Sequence, residues 1–256
     1  MSEISRPTLI MALLWRSEGS RPVSSSPGPR PRLEIDEIVA AAVAVADANP
    51  SVGLSMRAVA ERLGVTAMAL YGYVPNKDSL VALAYDAIHG EILDHEHRDG
   101  DWRERTISWA EDLVSLFVRH AWALRVSYAR PVLGPNEQRV LEALVGVLRT
   151  TDQGPDRMRR VVGLLFHAVR GTALTIAEAR EAEERSGISE GDWWQSTSAA
   201  LLERVPDFVD RFPNSRWLLA QQSDWSTSDD RSSYVEQQSM ANLRIGLGML
   251  LDGVEG

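Results

Sequence analysis

The stretch SMRAVAERLGVTAMALYGYV, residues 55–74, contains two short runs with apolar residues at helical spacing, separated by Gly64. Ser55 begins the first run and Thr66 begins the second, and both residue types commonly cap the N-termini of helices. A glycine directly after a helix can take the left-handed conformation that ends it. The stretch therefore predicts a helix-turn-helix, and because helices this short are marginal alone, they need tertiary packing.

Further helices are predicted on both sides of this unit. The apolar residues that follow the 3.6-residue period before it are Ile35, Ile38, Val39, Ala42 and Val45. They predict a helix over about 33–48 that ends at Asn49-Pro50. After the unit, Asn76 is placed to cap a longer helix that begins near Lys77. The order of elements predicts a three-helix domain over residues 33–85.

Composition sets limits on the class of protein. The chain has 256 residues, of which 44% are hydrophobic and 25% are charged, so it can bury a real core. It contains no cysteine, which rules out disulfides and thiolate metal sites. No apolar run approaches the roughly 20 residues of a membrane span, and Leu9–Trp15 is too short for a signal-peptide core. We expect a cytoplasmic protein without a membrane partner.

The first 32 residues differ in amino-acid composition from the rest of the chain. The segment RPVSSSPGPRPR, residues 21–32, combines Pro, Ser, Gly and Arg and cannot bury enough apolar surface to fold. Residues 1–32 are therefore predicted to be a flexible arm. Two interpretations stay open: a plain disordered leader, or an arginine arm that reaches into a DNA minor groove.

A helical hairpin is not by itself a DNA reader, and the net charge of −9 opposes general nucleic-acid binding. The local chemistry is more specific. Tyr71 ends the second short helix, and the next helix begins with Lys77, the only lysine in the chain. A hydroxyl and an ammonium group at these positions can meet phosphates. Tyr71 can equally pack on the next helix, and both roles are compatible.

The segment LSMRAVAERLGVTAMALYGYVPNKDSLV, residues 54–81, resembles the DNA-binding segment of the tetracycline-repressor (TetR) family. The resemblance covers about residues 33–85 and includes the Tyr, Tyr-Val, Asn-Lys and Leu positions at the family's spacing. It implies a dimeric, all-α, ligand-responsive transcription regulator that binds a pseudopalindromic double-stranded DNA operator. It places the following residues at the DNA: Arg57, Thr66, Ala67, Met68, Ala69, Tyr71, Gly72, Tyr73 and Lys77.

Four of these positions, Ala67, Met68, Ala69 and Gly72, have no side-chain group that could hydrogen-bond to a base edge. We therefore expect direct readout to depend on Arg57, on Thr66 and on contacts with thymine methyl groups. DNA shape should carry more of the specificity than usual.

Residues 86–256 are predicted to form a larger all-helical domain for ligand binding and dimerisation. On a predicted helix over about 107–128, one apolar stripe contains Trp109, Leu113, Phe117 and His120. A lone histidine on such a stripe is more often a satisfied core residue than a ligand group. The candidate ligand-binding residues are Trp109, Leu113, Phe117 and His120 together with Phe166, His167 and Arg170. Their mixture predicts a small, largely apolar or aromatic effector.

Two later segments have apolar residues on more than one face, namely residues 155–183 and 234–252. The TetR resemblance assigns both helices to a four-helix interface of a homodimer. The alternative is the core of a monomer, which leaves the excess apolar surface unexplained.

No enzyme motif is present. The chain lacks a Gly-rich phosphate loop, a Gly-x-Ser-x-Gly elbow and a His-Glu-x-x-His pair, so we expect neither catalysis nor a cofactor. The segment DHEHRDG, residues 94–100, is interpreted as a solvated helix end rather than a metal site. The remaining hypotheses are a ligand-released repressor, an architectural DNA-binding protein, and a helical protein that binds a small molecule.

Overall fold

A computed structural model describes residues 5–17, 33–95, 99–219 and 234–255. Within these ranges the chain forms helices and their connections and contains no strand, which confirms the predicted all-α class. The α-helices are α1 (Ser5–Leu14), α2 (Ile35–Ala48), α3 (Met56–Arg62), α4 (Ala67–Tyr71), α5 (Lys77–His89), α6 (Trp102–Arg119), α7 (Pro135–Leu148), α8 (Pro155–Ser186), α9 (Glu190–Arg204), α10 (Phe208–Arg211), α11 (Pro213–Leu219) and α12 (Tyr234–Glu255).

Helices α3 and α4 form the predicted helix-turn-helix, and local signals define its ends. Gly64 has φ +68°, the left-handed conformation expected between the two helices. The Thr66 hydroxyl accepts a hydrogen bond from the Ala69 N–H at 3.3 Å, and Asn76 Oδ1 accepts one from Ser79 N–H at 2.8 Å. Ser55 precedes α3 in extended conformation but makes no side-chain capping bond, so that part of the prediction is wrong.

The two short helices are held by packing against α2 and α5. Ile38 of α2, Val59 of α3, Leu70 of α4 and Leu80 of α5 are all completely buried. Burial of one such side chain contributes about 1.5–3 kcal/mol, which compensates for the low intrinsic stability of helices of 5 and 7 residues.

The N-terminal segment contradicts the prediction of a flexible arm over its described part, residues 5–17. Helix α1 packs on α5, and the Leu14 side chain is buried. Trp15 Nε1 donates a hydrogen bond to the Leu133 carbonyl oxygen at 3.0 Å, and Arg16 pairs with Asp36. The prediction overlooked that a short apolar run, too small for a core of its own, can complete the core of the domain. The arginine-rich part of the arm lies outside the described residues.

Helix α6 is displaced toward the N-terminus relative to the predicted 107–128. It begins after Asp101, whose carboxylate accepts hydrogen bonds from the N–H groups of Arg103 and Glu104. It ends at His120, which leaves the helical conformation with φ −113° and ψ 60°. A 3₁₀ turn, Ala121–Arg125, follows, so the predicted helix is two separate elements.

The chain divides into two compact units. One comprises residues 1–174 and 246–256, and the other comprises residues 175–245. The proposed boundary at residues 85 and 86 falls within the continuous helix α5, so the helix-turn-helix and the helices that follow it share the first unit. In the second unit, α9 and α10 contain no buried residue.

Candidate DNA-binding surface and ligand-binding site

The candidate DNA-binding residues lie on one accessible part of the first unit. Arg57, Thr66, Met68, Ala69, Tyr71, Gly72 and Lys77 are exposed, and Ala67 and Tyr73 are half-buried. The large apolar side chain of Met68 is 78% exposed, whereas Leu70 on the same helix is completely buried. Helix α4 therefore buries one face in the domain and leaves the other free for a partner.

The accessible face of α4 has little hydrogen-bonding capacity of its own. Met68 and the neighbouring alanines present only methyl, methylene and thioether groups, while the hydroxyl of Thr66 already accepts the capping bond from Ala69. Phosphate contacts can come from the exposed ends of Tyr71 and Lys77, which flank α4 and the start of α5.

A hydrogen-bonded cluster joins α2 to the end of α6. Asp47 Oδ1 lies 2.7 Å from His120 Nδ1 and accepts a hydrogen bond from Trp122 Nε1 at 2.8 Å. His120 Nε2 lies 3.1 Å from Glu91 Oε1. The ring of His120 is buried, and its two nitrogens can both donate to these carboxylates only when the ring is protonated. Sequence analysis did not predict that His120 links two carboxylates, because Asp47 is 73 residues away from His120.

A second cluster is aromatic and lies between α6, α8 and the loop after the 3₁₀ turn. Trp109 and Phe166 meet edge to face with ring centroids 5.2 Å apart. Tyr128 lies 5.5 Å from Phe166 and 5.7 Å from His167 between ring centroids. Tyr128 was not among the sequence-predicted residues, because it lies at the end of the predicted helix 107–128 and outside its apolar stripe; in the structure it lies in a turn.

Arg170 completes the aromatic cluster. Its guanidinium carbon lies 5.6 Å from the Phe117 ring centroid and 5.9 Å from that of Tyr128, both within cation–π range. Arg170 Nη2 donates to the carbonyl oxygens of Leu124 at 2.6 Å and Val126 at 3.3 Å. Arg170 Nη1 is buried and has no hydrogen-bond partner among the described residues. An unpartnered buried donor is costly, and a ligand acceptor would satisfy it.

The structure thus places five of the seven predicted ligand-binding residues at the aromatic cluster and the other two elsewhere. Trp109, Phe117, Phe166, His167 and Arg170 belong to or touch the aromatic cluster. Leu113 is completely buried on α6, whereas the nitrogens of His120 are engaged with Asp47 and Glu91 in the other cluster.

The indole of Trp109 also borders a cavity of about 370 Å³ between α6 and α7. Its walls include Arg105, Thr106 and Glu142. Trp109 Nε1 donates to the Val140 carbonyl oxygen at 3.0 Å, so the indole offers its ring rather than its N–H to a bound molecule.

Burial changes the titration of groups beside this core. It lowers the pKa of His89 to about 4, because the ring is almost completely excluded from water. His89 Nδ1 lies 2.7 Å from the Tyr85 carbonyl oxygen, a contact that favours the proton on that nitrogen. Burial likewise raises the pKa of the Tyr85 hydroxyl, so both groups are neutral near pH 7.

The loop that precedes α7 is fastened by two carboxylates. Asp86 Oδ1 accepts hydrogen bonds from the N–H groups of Asn136 and Glu137 at 2.9 and 3.0 Å. Burial raises the pKa of Asp86 and of Glu137. A side chain at Gly134 would place its Cβ 2.2 Å from Asp86 Oδ1, so the close approach requires glycine. The loop that carries Tyr128 is thereby held at its C-terminal end.

The described residues contain no group of three or more His, Asp or Glu side chains that could hold a metal ion. The segment 94–100 that was interpreted as a solvated helix end lies partly outside the described residues.

Two family profiles match most of the chain. Residues 38–84 match the profile described as "Bacterial regulatory proteins, tetR family", and residues 96–256 match "Tetracyclin repressor-like, C-terminal domain". The chain belongs to the TetR family of bacterial transcription regulators, as the resemblance predicted. It is a sequence-specific DNA-binding regulator, and catalysis is not a general property of its family.

Individual relatives agree with this assignment. The chain is 35% identical over 196 residues to the HTH-type transcriptional repressor DrrR1 of Streptomyces coeruleorubidus, covering 76% of this chain and 71% of the relative. An HTH-type transcriptional regulator of Saccharopolyspora erythraea is 28% identical over 219 residues, which cover 83% of this chain and 86% of that one.

A solved structure shares the fold. The Streptomyces coelicolor TetR family protein ActR in complex with actinorhodin superposes with a TM-score of 0.66 at 25% identity. The alignment covers 87% of this chain and 95% of ActR.

Helix α8 is, in the described part of the chain, long and apolar enough by length and composition to cross a membrane. It lies within the region that matches the TetR C-terminal domain. We therefore attribute its apolar surface to protein packing.

Proposed function

We propose that the protein is a homodimeric repressor that leaves its operator when a small, largely apolar or aromatic molecule binds. The exposed face of α4, beside a buried Leu70, is the observation that carries the DNA-binding part of the proposal. The nine residues from Arg57 to Lys77 named above are the proposed contacts. A two-fold symmetric dimer would read a pseudopalindromic site.

The aromatic cluster around Arg170 is the proposed effector site. Its rings offer apolar contact area, and Arg170 Nη1 offers one buried donor that has no partner in the described part of the chain. This combination suits a planar molecule with an acceptor oxygen such as a carbonyl or phenolate. That ActR has been solved with actinorhodin and with (S)-DNPA supports a small-molecule effector for this chain.

Dimerisation is proposed through α8 and α12. On α8 the Leu164 side chain is 52% exposed, whereas the adjacent Leu165 is completely buried. On α12 Met249 is 71% exposed, whereas Leu247 is only 2% exposed. Both helices therefore bury one apolar face within the chain and expose another, and a second copy would cover the exposed one.

The proposed mechanism is a shift between two conformations. Two DNA-binding heads on a dimer engage both half-sites only at one separation, so a ligand that prefers another separation weakens DNA binding by its differential affinity. The His120 cluster offers the physical connection, because His120 caps the end of α6 while its ring contacts Asp47 of α2. Trp109 and Phe117, earlier on α6, face the proposed effector site.

The test begins with selection of duplexes from a random pool by the purified full-length protein. We expect one enriched pseudopalindromic sequence, bound with a steep salt dependence. A library of aromatic carbonyl compounds is then screened for release of that duplex. Equal binding to all duplexes would favour an architectural protein, and no duplex binding would favour a small-molecule-binding protein without DNA control.

The effector site is tested with Phe117→Trp, which adds volume beside Arg170. A compound that releases the operator from the wild type should fail to release it from this variant, while operator affinity without compound stays unchanged. Release from the variant at the same concentration would place the effector elsewhere.

A further inference from the structure

A second cavity, of about 240 Å³, lies within the unit of residues 175–245. The last turns of α8, the start of α9 and the start of α12 form its walls. It is separate in sequence from the aromatic cluster around Arg170, with which it shares no residue. We call it the Trp193 cavity.

Local structure at the α8–α9 connection shapes the Trp193 cavity. Gly187 ends α8 in the left-handed conformation, with φ +66°. The Ser186 hydroxyl oxygen accepts a hydrogen bond from the Ile188 N–H at 3.2 Å, and Ser189 caps α9 through the Asp192 N–H at 3.1 Å. This tight turn brings Ile188 and the first turn of α9 over the end of α8.

Two adjacent tryptophans supply most of the apolar wall. The rings of Trp193 and Trp194 meet edge to face with centroids 4.9 Å apart. Both side chains are more than 40% exposed, although tryptophan side chains are on average well buried in folded proteins. Such a pair offers a flat molecule one ring face and one ring edge.

The polar group of the cavity is the Glu190 carboxylate. Glu190 Oε2 accepts a hydrogen bond from the Val235 N–H at 3.2 Å, in the first turn of α12. That position is favourable for a negative charge because the helix N-terminus carries a partial positive charge. The other oxygen, Glu190 Oε1, is buried and has no hydrogen-bond partner among the described residues.

The described charged residues that line the cavity are of one sign. They are Glu183 and Glu190, and no arginine, lysine or histidine of the described ranges lines the wall. A buried carboxylate oxygen without a donor is costly, and a ligand N–H, above all a cationic one, would satisfy it. An anionic ligand would instead meet two carboxylates.

We infer that the Trp193 cavity is a second small-molecule site, which binds a planar aromatic molecule carrying a protonated amine. The amine donates to Glu190 Oε1, and the aromatic body packs on Trp193 and Trp194. The volume is below the about 300–1,000 Å³ of sites for drug-sized ligands, so a molecule of two or three rings fits it. This chemistry is opposite to that of the proposed effector site, where the unpartnered group is the donor Arg170 Nη1.

Three probes of nearly equal shape test the inference by calorimetry on the full-length protein: 2-naphthylmethylammonium, 2-naphthylmethanol and 2-naphthoate. We expect the ammonium probe to bind at least tenfold more tightly than the alcohol, and the naphthoate to bind most weakly. Equal affinity for the ammonium and naphthoate probes, or no heat of binding for the ammonium at millimolar concentration, would overturn the inference.

Variants then place the site. Glu190→Gln keeps an oxygen for the Val235 N–H but removes the charge, so the ammonium probe should lose at least tenfold in affinity and bind like the alcohol. Glu203→Gln, on the exposed end of the same helix, should change nothing. Trp193→Ala should weaken all three probes about tenfold, whereas Trp217→Ala, which alters an exposed tryptophan outside the cavity, should not.

One further variant separates this inference from the proposed effector site. Arg170→Met alters the aromatic cluster and should leave the affinity of the ammonium probe within twofold of the wild-type value. If Arg170→Met abolishes binding while Glu190→Gln does not, the probe occupies the aromatic cluster and the Trp193 cavity is not its site. Failure of operator release with the ammonium probe leaves the proposed repressor function unaffected.

Discussion

Asp47 of α2 and His120 at the end of α6 lie 2.7 Å apart, measured from Oδ1 to Nδ1, although 73 residues separate them in sequence. The same Asp47 oxygen accepts the indole N–H of Trp122 at 2.8 Å. A single carboxylate therefore joins the first helix of the DNA-binding region to two residues of the helical body. Glu91 lies on the other side of the His120 ring, so the ring is held between two carboxylates, one of which belongs to α2.

His120→Ala should loosen α2 while the helix itself remains formed. Loss of these hydrogen bonds to charged groups is expected to cost about 1–3 kcal/mol. Amide hydrogen exchange in residues 35–48 should accelerate, and operator release by an effector should weaken. Glu203→Ala is the control, because the Glu203 side chain is exposed on α9 and lies outside the His120 cluster and the proposed effector site. Equal effects of the two substitutions would contradict the coupling.

Substitutions on the DNA-binding surface should separate phosphate contacts from base readout. Tyr71→Phe and Lys77→Ala should weaken binding to all duplexes similarly, and Lys77→Ala should reduce the salt slope by about 1. Arg57→Ala or Thr66→Ala should also change the preferred sequence, with a loss of about 1–3 kcal/mol at a contacted base pair.

Competition with variant operators measures these effects. Tyr128→Phe is the control, because it makes the same chemical change at a residue outside the DNA-binding surface. It should leave binding to DNA intact. If all four surface variants keep the wild-type affinity for DNA and the wild-type sequence preference, α4 is not the DNA-binding helix.

The N-terminal helix should contribute to stability. Leu14→Ala removes a buried side chain and should lower the free energy of unfolding by about 2–5 kcal/mol. Trp15→Phe removes the hydrogen bond to the Leu133 carbonyl and should cost about 1 kcal/mol. Denaturant titration measures both. Leu9→Ala is the control and should cost less than Leu14→Ala, because Leu9 is 41% exposed and Leu14 only 3%. If deletion of residues 1–17 leaves the unfolding midpoint unchanged, the packing of α1 is not part of the native state.

Stability should fall with acid through His89. Its pKa is lowered to about 4 in the folded chain, against about 6.5 when unfolded, so the stabilising neutral form is present above pH 6.5. As the pH falls from 6.5 to 4, the unfolded state takes up a proton that the folded state resists, and about 3 kcal/mol is lost.

The raised pKa values of Asp86 and Glu137 act in the opposite direction, so a difference measurement is needed. We expect unfolding free energies of the wild type and His89→Gln to converge between pH 7 and pH 4. A constant difference over that range would show that His89 does not titrate as a buried neutral group.

Neighbouring leucines on α8 should respond differently to a charge. Leu164→Glu alters an exposed side chain and should yield a folded monomer, because the charge would face the partner's apolar surface. Leu165→Glu places an unpaired charge in the core of the chain and should unfold it. The pair Met249→Glu and Leu247→Glu should repeat the contrast on α12. Sedimentation with circular dichroism distinguishes the outcomes, and a folded dimer of Leu164→Glu would move the interface away from this face.

Much of the DNA-binding region was predictable because its signals are local. Gly64, Thr66 and Asn76 act on backbone groups within three or four residues, and the apolar spacing of α2 identifies its buried face without reference to the rest of the chain. The all-α class follows from the same short-range periodicity. The exposure of Met68 and Tyr71 is likewise the complement of the buried Leu70 on one short helix.

Tertiary structure decided the features that depend on distant partners. Trp15 hydrogen-bonds to Leu133, 118 residues away, and Asp47 contacts His120, 73 residues away. No local sequence pattern could therefore predict the packing of α1 or the position of His120 outside the aromatic cluster. Leu164 and Leu165 both lie in the apolar segment 155–183, but only the surrounding helices determine which of the two is covered. The unpartnered groups Arg170 Nη1 and Glu190 Oε1 arise in the same way, because hydrogen-bond satisfaction depends on what the whole fold brings within about 3 Å of an atom.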